Sequence, residues 1–147
     1  MRNRRRNPPV AEKDLDQQTE EGEQPTATAD EDSELMQKIR LLMEAKRLYL
    51  NPNLKVTDVA DTLGIHRNSI SACINTQEGC TFAQYVNRYR MEHVKQTLLE
   101  QPDRKINAVA TESGFANETS FFRTFKSATG MTPREWVTAY AQKRQND

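Results

Sequence analysis

Cysteine is almost missing from this chain: Cys73 and Cys80 are the two present in 147 residues. That excludes a disulfide framework, and the pair forms no CxxC redox motif. With His66 and His93 they make four conceivable zinc ligands, but their spacing fits no zinc pattern. Aromatics are scarce too, 7% of residues with a single tryptophan. No apolar run approaches the ~18 residues of a membrane span, and no signal-peptide core is present. No Ser-His-Asp set, paired carboxylates or phosphate loop can be assembled. An enzyme is therefore not expected, no metal or other cofactor is implied, and no small-molecule site is visible. The chain as given reads as a cytoplasmic protein.

The formal charge is zero, but it averages unlike parts. MRNRRR is a basic cluster, whereas Asn7 to Ser33 holds nine acids, one base and no aromatic. Such a stretch buries too little apolar surface to offset its ordering entropy, so residues 1–32 are expected to form a disordered tail or linker. From Glu34 onward sixteen Lys or Arg face twelve Asp or Glu, a net +4. A mildly basic folded part suits a nucleic-acid partner without requiring one.

Within residues 33–147 apolar side chains recur at helical spacing. Leu35, Ile39, Leu42, Met43, Lys46 and Tyr49 trace a first helix, stopped by Asn51-Pro52-Asn53. Then the chain repeats. VTDVADTLGI at 56–65 matches INAVATESGF at 106–115 with an offset of 50, and EGCTFAQYV at 78–86 matches TGMTPREWV at 129–137 with an offset of 51. Two copies of one supersecondary unit are implied. In each, Thr57 or Asn107 can cap a short helix, Ala60 or Ala110 admits a close crossing, and Gly64 or Gly114 permits a sharp turn. A second helix follows, with Ile70 and Ile74 or Phe121 and Phe125 on one face. Helix, glycine turn, helix is the helix-turn-helix layout. Capping boxes at Thr81/Gln84 and Thr132/Glu135 open a third helix in each copy. The first of these is a long connector to about Glu100, and the second starts at Pro133.

In GFANETSFFRTFKSATGMTP, residues 114–133, Phe115, Phe121 and Phe125 are expected in the core. Arg123, two residues from each of the last pair, must point away from it, with Glu118, Thr119 and Phe122 in the same exposed sector.

At this point the sequence resembles the DNA-binding domain of AraC/XylS-type transcription regulators. Gly114-Phe115, Phe121, Arg123, Phe125-Lys126, Gly130 and Thr132-Pro133 match the family signature in order and spacing, and the likeness covers about residues 34–143. It implies an all-α, seven-helix, two-lobed domain with two helix-turn-helix units joined by a long linker helix. It also implies two recognition helices that enter successive major grooves. By position the first presents Arg67, Asn68, Ser71, Ala72 and Asn75. The second, from Asn117 to Ala128, presents Glu118, Thr119, Phe122 and Arg123. The first copy departs from the pattern: His66 stands where the family commonly has a capping Ser, Ala72 where it often has a base-reading Arg, and Ile74 where an aromatic is usual. The first lobe is then expected to hold phosphates more than to read bases.

Arg123 is a candidate for guanine through its planar fork; a phosphate clamp or an ion pair with Glu118 or Glu135 are its alternatives. Glu118 could accept from cytosine or simply serve the helix start. Phe122 could meet a thymine methyl or edge the core. Asn117, Thr119, Lys126 and Lys105 are phosphate candidates, and Arg88, Arg90 and Lys95 on the long helix could contact DNA between grooves or keep that helix solvated. The function expected is sequence-specific transcription regulation on double-stranded DNA, with RNA polymerase as a further partner. The rival is a helical protein-interaction module on the same fold. MRNRRR reads either as a free basic arm or as the cytoplasmic flank of a membrane helix upstream, where a membrane or sensor domain of a longer chain would lie.

Overall fold

The computed structural model describes residues 29–146, with side chains from 30 to 141. Among the described residues there are seven α-helices and one 3-10 turn. They are α1 (Ala29–Glu44), the turn Leu48–Leu50, α2 (Val56–Leu63), α3 (Arg67–Glu78), α4 (Phe82–Glu100), α5 (Ile106–Glu112), α6 (Glu118–Thr129) and α7 (Pro133–Asn146). Most of the expected tail, residues 1–28, lies outside the described residues. Its last four residues do not behave as a tail: α1 starts at Ala29 and carries Asp30, Glu31 and Asp32 in its first turn. Acid enrichment is what a helix N-terminus favours, and the Asp32 carbonyl accepts from Cys73 Sγ at 3.3 Å.

The first helix is also shorter than its apolar spacing suggests. It ends at Glu44, and the chain kinks at Arg47, where φ 55 and ψ 42 are left-handed. A non-glycine residue there costs about 1 kcal/mol. The kink turns the carbonyls of Tyr49 and Asn51 toward α4, where Arg90 takes both (below). Thr57 and Asn107 are not caps either. Val56 and Ile106 are already helical, so the cap positions fall on Lys55 and Lys105, neither of which gives a side-chain bond. Asp58 serves the first start instead, accepting from the Lys55 amide at 2.8 Å. Both capping boxes form: Thr81 with Gln84 at 3.0 and 3.1 Å, and Thr132 with Glu135 at 3.0 and 3.2 Å.

Two separate cores result. Lobe one gathers Met36, Ile39 and Met43 of α1 with Val59, Ile70 and Ile74. Lobe two gathers Val109, Phe115, Phe121, Phe125 and Trp136. The three expected core phenylalanines are buried and joined by edge contacts, with centroids 5.1 Å apart for Phe115–Phe121 and 5.8 Å for Phe121–Phe125. One helix serves both lobes: α4 sends Tyr85 and Val86 into the first core and Met91, Val94 and Leu98 into the second.

Where α4 passes from one core to the other sits Arg90. Its Nε donates to the Tyr49 carbonyl at 2.7 Å, Nη2 to the Asn51 carbonyl at 2.8 Å and Nη1 to Asn87 Oδ1 at 3.2 Å. Gly114, at φ +103, presses on the same spot: a Cβ there would stand 2.2 Å from the Tyr49 carbonyl oxygen and 2.8 Å from Arg90 Nε. One turn further along α4, His93 Nδ1 meets Ser113 Oγ at 2.7 Å, and Ser113 Oγ meets the Val109 carbonyl at 2.7 Å. A hydroxyl has one hydrogen, which goes to that carbonyl, so Nδ1–H of His93 is the donor to Ser113.

Gly64 and Gly114 hold equivalent repeat positions, yet a Cβ at Gly64 (φ +68) would meet nothing within 4 Å. Gly64→Ala should cost about 1 kcal/mol, the left-handed penalty alone, and Gly114→Ala should cost clearly more in urea unfolding. Equal losses would mean that the close approach at Gly114 is unimportant.

Burial and the nearby Arg47 hold the His93 imidazole below its ordinary 6.5, against a smaller opposing pull from Glu112 and Glu100. A base favoured neutral in the fold binds more protons when unfolded. Its contribution is therefore complete above about pH 6.5 and falls away as pH drops toward the lowered value. His93→Gln should show a shallower loss of urea midpoint between about pH 7.5 and 5.5 than the parent. Parallel curves would refute the assignment.

Candidate nucleic-acid interface

α3 is anchored at both ends. His66, in the place of an expected serine, still caps: its Nδ1 accepts from the Asn68 amide at 3.1 Å. At the far end the Glu78 carboxylate takes Arg40 at 2.9 Å and Arg88 at 3.1 Å, and Arg88 also reaches the Glu78 carbonyl at 3.2 Å. Two guanidiniums at a helix C-terminus match the sign of its dipole. Ile70, Cys73 and Ile74 face the core, and burial pushes the Cys73 thiol up to about 11. Arg67, Ser71 and Asn75, four residues apart in turn, form an exposed stripe flanked by half-buried Asn68 and Ala72.

α6 is built the same way. Asn117 Oδ1 caps it through the Ser120 amide at 2.7 Å. Phe121 and Phe125 are buried, and Glu118, Thr119, Phe122, Arg123 and Lys126 are exposed. Glu118 is held to α5 by the Asn107 side-chain amide at 2.8 Å. That gives Asn107 a role across the turn that its position as a supposed cap concealed. The Phe122 ring lies 5.1 Å from that of Phe121 with 38% of its surface exposed, so it is the rim of the aromatic core. Neither Glu118 nor Glu135 pairs with Arg123; among the described residues Arg123 and Lys126 have no partner.

The helix stands as a ridge between two clefts. One, of about 830 Å³, runs between the lobes and is lined by Gly79 and Cys80, by α4 residues including Asn87, Met91 and Lys95, and by Arg123 and Ser127. The other, of about 420 Å³, lies on the far side and is lined by Lys105, Asn107, Phe122, Pro133 and Arg134 among others. Of the eleven sequence candidates the clefts gather Arg123 and Phe122; the α3 stripe lines neither. Arg134 was missed by sequence reasoning, although a base directly after a Thr-Pro helix start was the available signal. The α4 cations are committed within the fold: Arg88 to Glu78, Lys95 to Glu92 at 3.5 Å, and Arg90 to carbonyls. No helix among the described residues is long and apolar enough to cross a membrane.

Residues 59–139 match the helix-turn-helix domain family, and the chain belongs to it. It is 33% identical over 112 residues to YisR of Bacillus subtilis (strain 168), an uncharacterized HTH-type transcriptional regulator, covering 74% of this chain and 38% of that one. An uncharacterized HTH-type transcriptional regulator of Staphylococcus aureus is 28% identical over 116 residues, covering 75% of this chain and 15% of its own length. The chain thus spans well under half of these relatives. Its fold is shared with the C-terminal domain of AraT, a response regulator from Geobacillus stearothermophilus, at TM-score 0.62 and 22% identity, over 69% of this chain and 84% of that one. It is also shared with a Chromobacterium violaceum regulator described as AraC-type, at TM-score 0.61 and 24% identity, over 78% and 96%.

The cap gives a direct check on the α3 frame. His66→Ala should lose about 1 kcal/mol of stability, and His66→Ser should retain most of it. Loss of the same size in both variants would show that the imidazole acts by packing instead.

Proposed function

We infer that the chain is a sequence-specific, DNA-binding transcription regulator of the AraC/XylS type, with α3 and α6 entering successive major grooves. The observation that carries this reading is the α6 ridge. An α-helix with side chains is about 10–12 Å across, and a major groove is about 12 Å wide with a phosphate strand on each wall. A helix seated there needs base-capable side chains on its crest and cations on both flanks. Arg123 and Lys126 are exposed and unpartnered on α6, and Lys105 and Arg134 border the far cleft. Arg123 acts as the fork for a guanine, Phe122 as an apolar contact for a thymine methyl, and Glu118 as an acceptor through the oxygen that Asn107 leaves open. Lys126, Lys105, Arg134 and Thr119 hold phosphates. In α3, Arg67, Asn68, Ser71 and Asn75 contact the first groove, and Ala72 offers no polar group to a base. The similarity to proteins named as transcriptional regulators supports the same reading. Within a longer protein, an upstream sensor and RNA polymerase are the partners that such a regulator would have.

Selection from a random DNA pool should return two blocks about 10 bp apart, the one under α6 more constrained. Affinity should fall steeply with salt. Arg123→Ala should lose about 1–3 kcal/mol at the selected site and relax one base pair, while Lys126→Ala weakens all sequences alike and flattens the salt slope. Equal losses on selected and random DNA would reduce Arg123 to a backbone clamp. Absence of any salt-dependent DNA shift would favour the protein-interaction module.

A further inference from the structure

Resting on that reading of two recognition helices, we propose that the Tyr49–Arg90–Gly114 junction sets the spacing between the two halves of the DNA target. Arg90 is then a positioning residue that governs specificity without touching DNA. The two cores are separate and share α4 as their common element. A single helix fixes distance along its own axis. Rotation of one lobe against the other needs a second tie, off that axis. The junction supplies it: the Leu48–Leu50 turn belongs to lobe one, Gly114 to the helix-turn-helix turn of lobe two, and Arg90 to α4 between them.

Three observations separate this tie from ordinary packing. Gly114 approaches so closely that a Cβ would overlap the Tyr49 carbonyl oxygen, whereas its repeat equivalent Gly64 faces open space. The close approach is thus not required by a helix-turn-helix turn as such; it arises in the copy that meets the other lobe. Next, the Arg90 fork reaches carbonyls two residues apart, at 2.7 and 2.8 Å, so it fixes the direction of the turn as well as its position. An ammonium, as a compact point donor, cannot do so in the same way. Finally, Nε, Nη1 and Nη2 each donate within the fold, so three of the five guanidinium N–H groups already have acceptors and the side chain is held in place by the fold itself. Two linked reading heads gain from simultaneous engagement only when their separation matches the target. A junction without slack therefore becomes a preference for one gap.

The test uses the 147-residue chain and duplexes in which the two selected blocks are separated by gaps of varied length. The parent should prefer one gap sharply. Arg90→Lys should keep both block sequences and its affinity for an isolated block, while preference for the parental gap over gaps a base pair or two longer or shorter falls about tenfold. Asn87→Ala, which removes only the support of Nη1, should shift in the same direction by a smaller factor and covers the case in which Arg90→Lys does not fold. Thermal unfolding establishes which variants are folded. Folded variants that keep the parental gap preference overturn the proposal alone, as does a uniform loss on every gap and on single blocks, the mark of a merely structural residue. A parent that selects no two-block motif removes the underlying reading, and the proposal with it.

Discussion

The arrangement depends on a guanidinium held without a carboxylate. Arg90 is part-buried, burial lowers its proton affinity, and the oxygens around it belong to two peptide groups and one side-chain amide. Removing a full charge from water costs several kcal/mol unless strong hydrogen bonds replace hydration. Three charge-assisted bonds do so here, and they need a donor with fixed, divergent N–H groups. Everything around the residue follows from that need. The kink at Arg47 exposes the two carbonyls, α4 delivers the fork at the crossing between cores, and Gly114 has no side chain to come between them.

The two repeat copies share a frame and differ in what surrounds it. Both begin the second helix with a side-chain cap, but His66 does in one what Asn117 does in the other. Both bury a pair of residues four apart, aliphatic Ile70 and Ile74 in one and Phe121 and Phe125 in the other. The aromatic pair extends through Trp136, whose ring lies 5.8 Å from Phe125, and ends at the exposed edge of Phe122. The concentration of aromatics in lobe two thus has one physical origin with two results: a stiff support beneath α6 and an apolar rim on its crest. Lobe one stiffens its helix differently, with arginines from α1 and α4 converging on Glu78.

Charge is distributed in keeping with that division. Cations that brace the scaffold are matched locally, as Arg104 is by Glu112 and Lys95 by Glu92. Exposed pairs of this kind stabilise little, but each sets a carboxylate beside its cation, which Arg123 and Lys126 lack. Among the described residues, Arg123 and Lys126 on the α6 ridge are without a partner, as are Lys105 and Arg134 beside the far cleft and Lys38, Lys46 and Lys55 elsewhere. Net charge conceals this: with Asp30, Glu31 and Asp32 inside α1, residues 29–147 hold sixteen Lys or Arg against fifteen Asp or Glu.

The sequence by itself determined the repeat, the helix-turn-helix units, both capping boxes, the phenylalanine core and the outward placement of Arg123. These follow from local rules of spacing, capping chemistry and glycine turns, which act over one or two helical turns. Where local rules misled, a partner distant in the chain had intervened. The acidic residues at 30–32 compose like a disordered segment but open a helix tied to Cys73, and the apolar spacing through Tyr49 breaks at Arg47 in the fold that brings two carbonyls to Arg90. Asn107 resembles a cap and instead holds Glu118, eleven residues on. Arg88 and Arg90 look like surface cations until the fold supplies their acceptors. Only tertiary structure could decide between a cation that braces and one that is free to bind, because the difference lies in which oxygens come within about 3 Å, and residues tens of positions apart supply them.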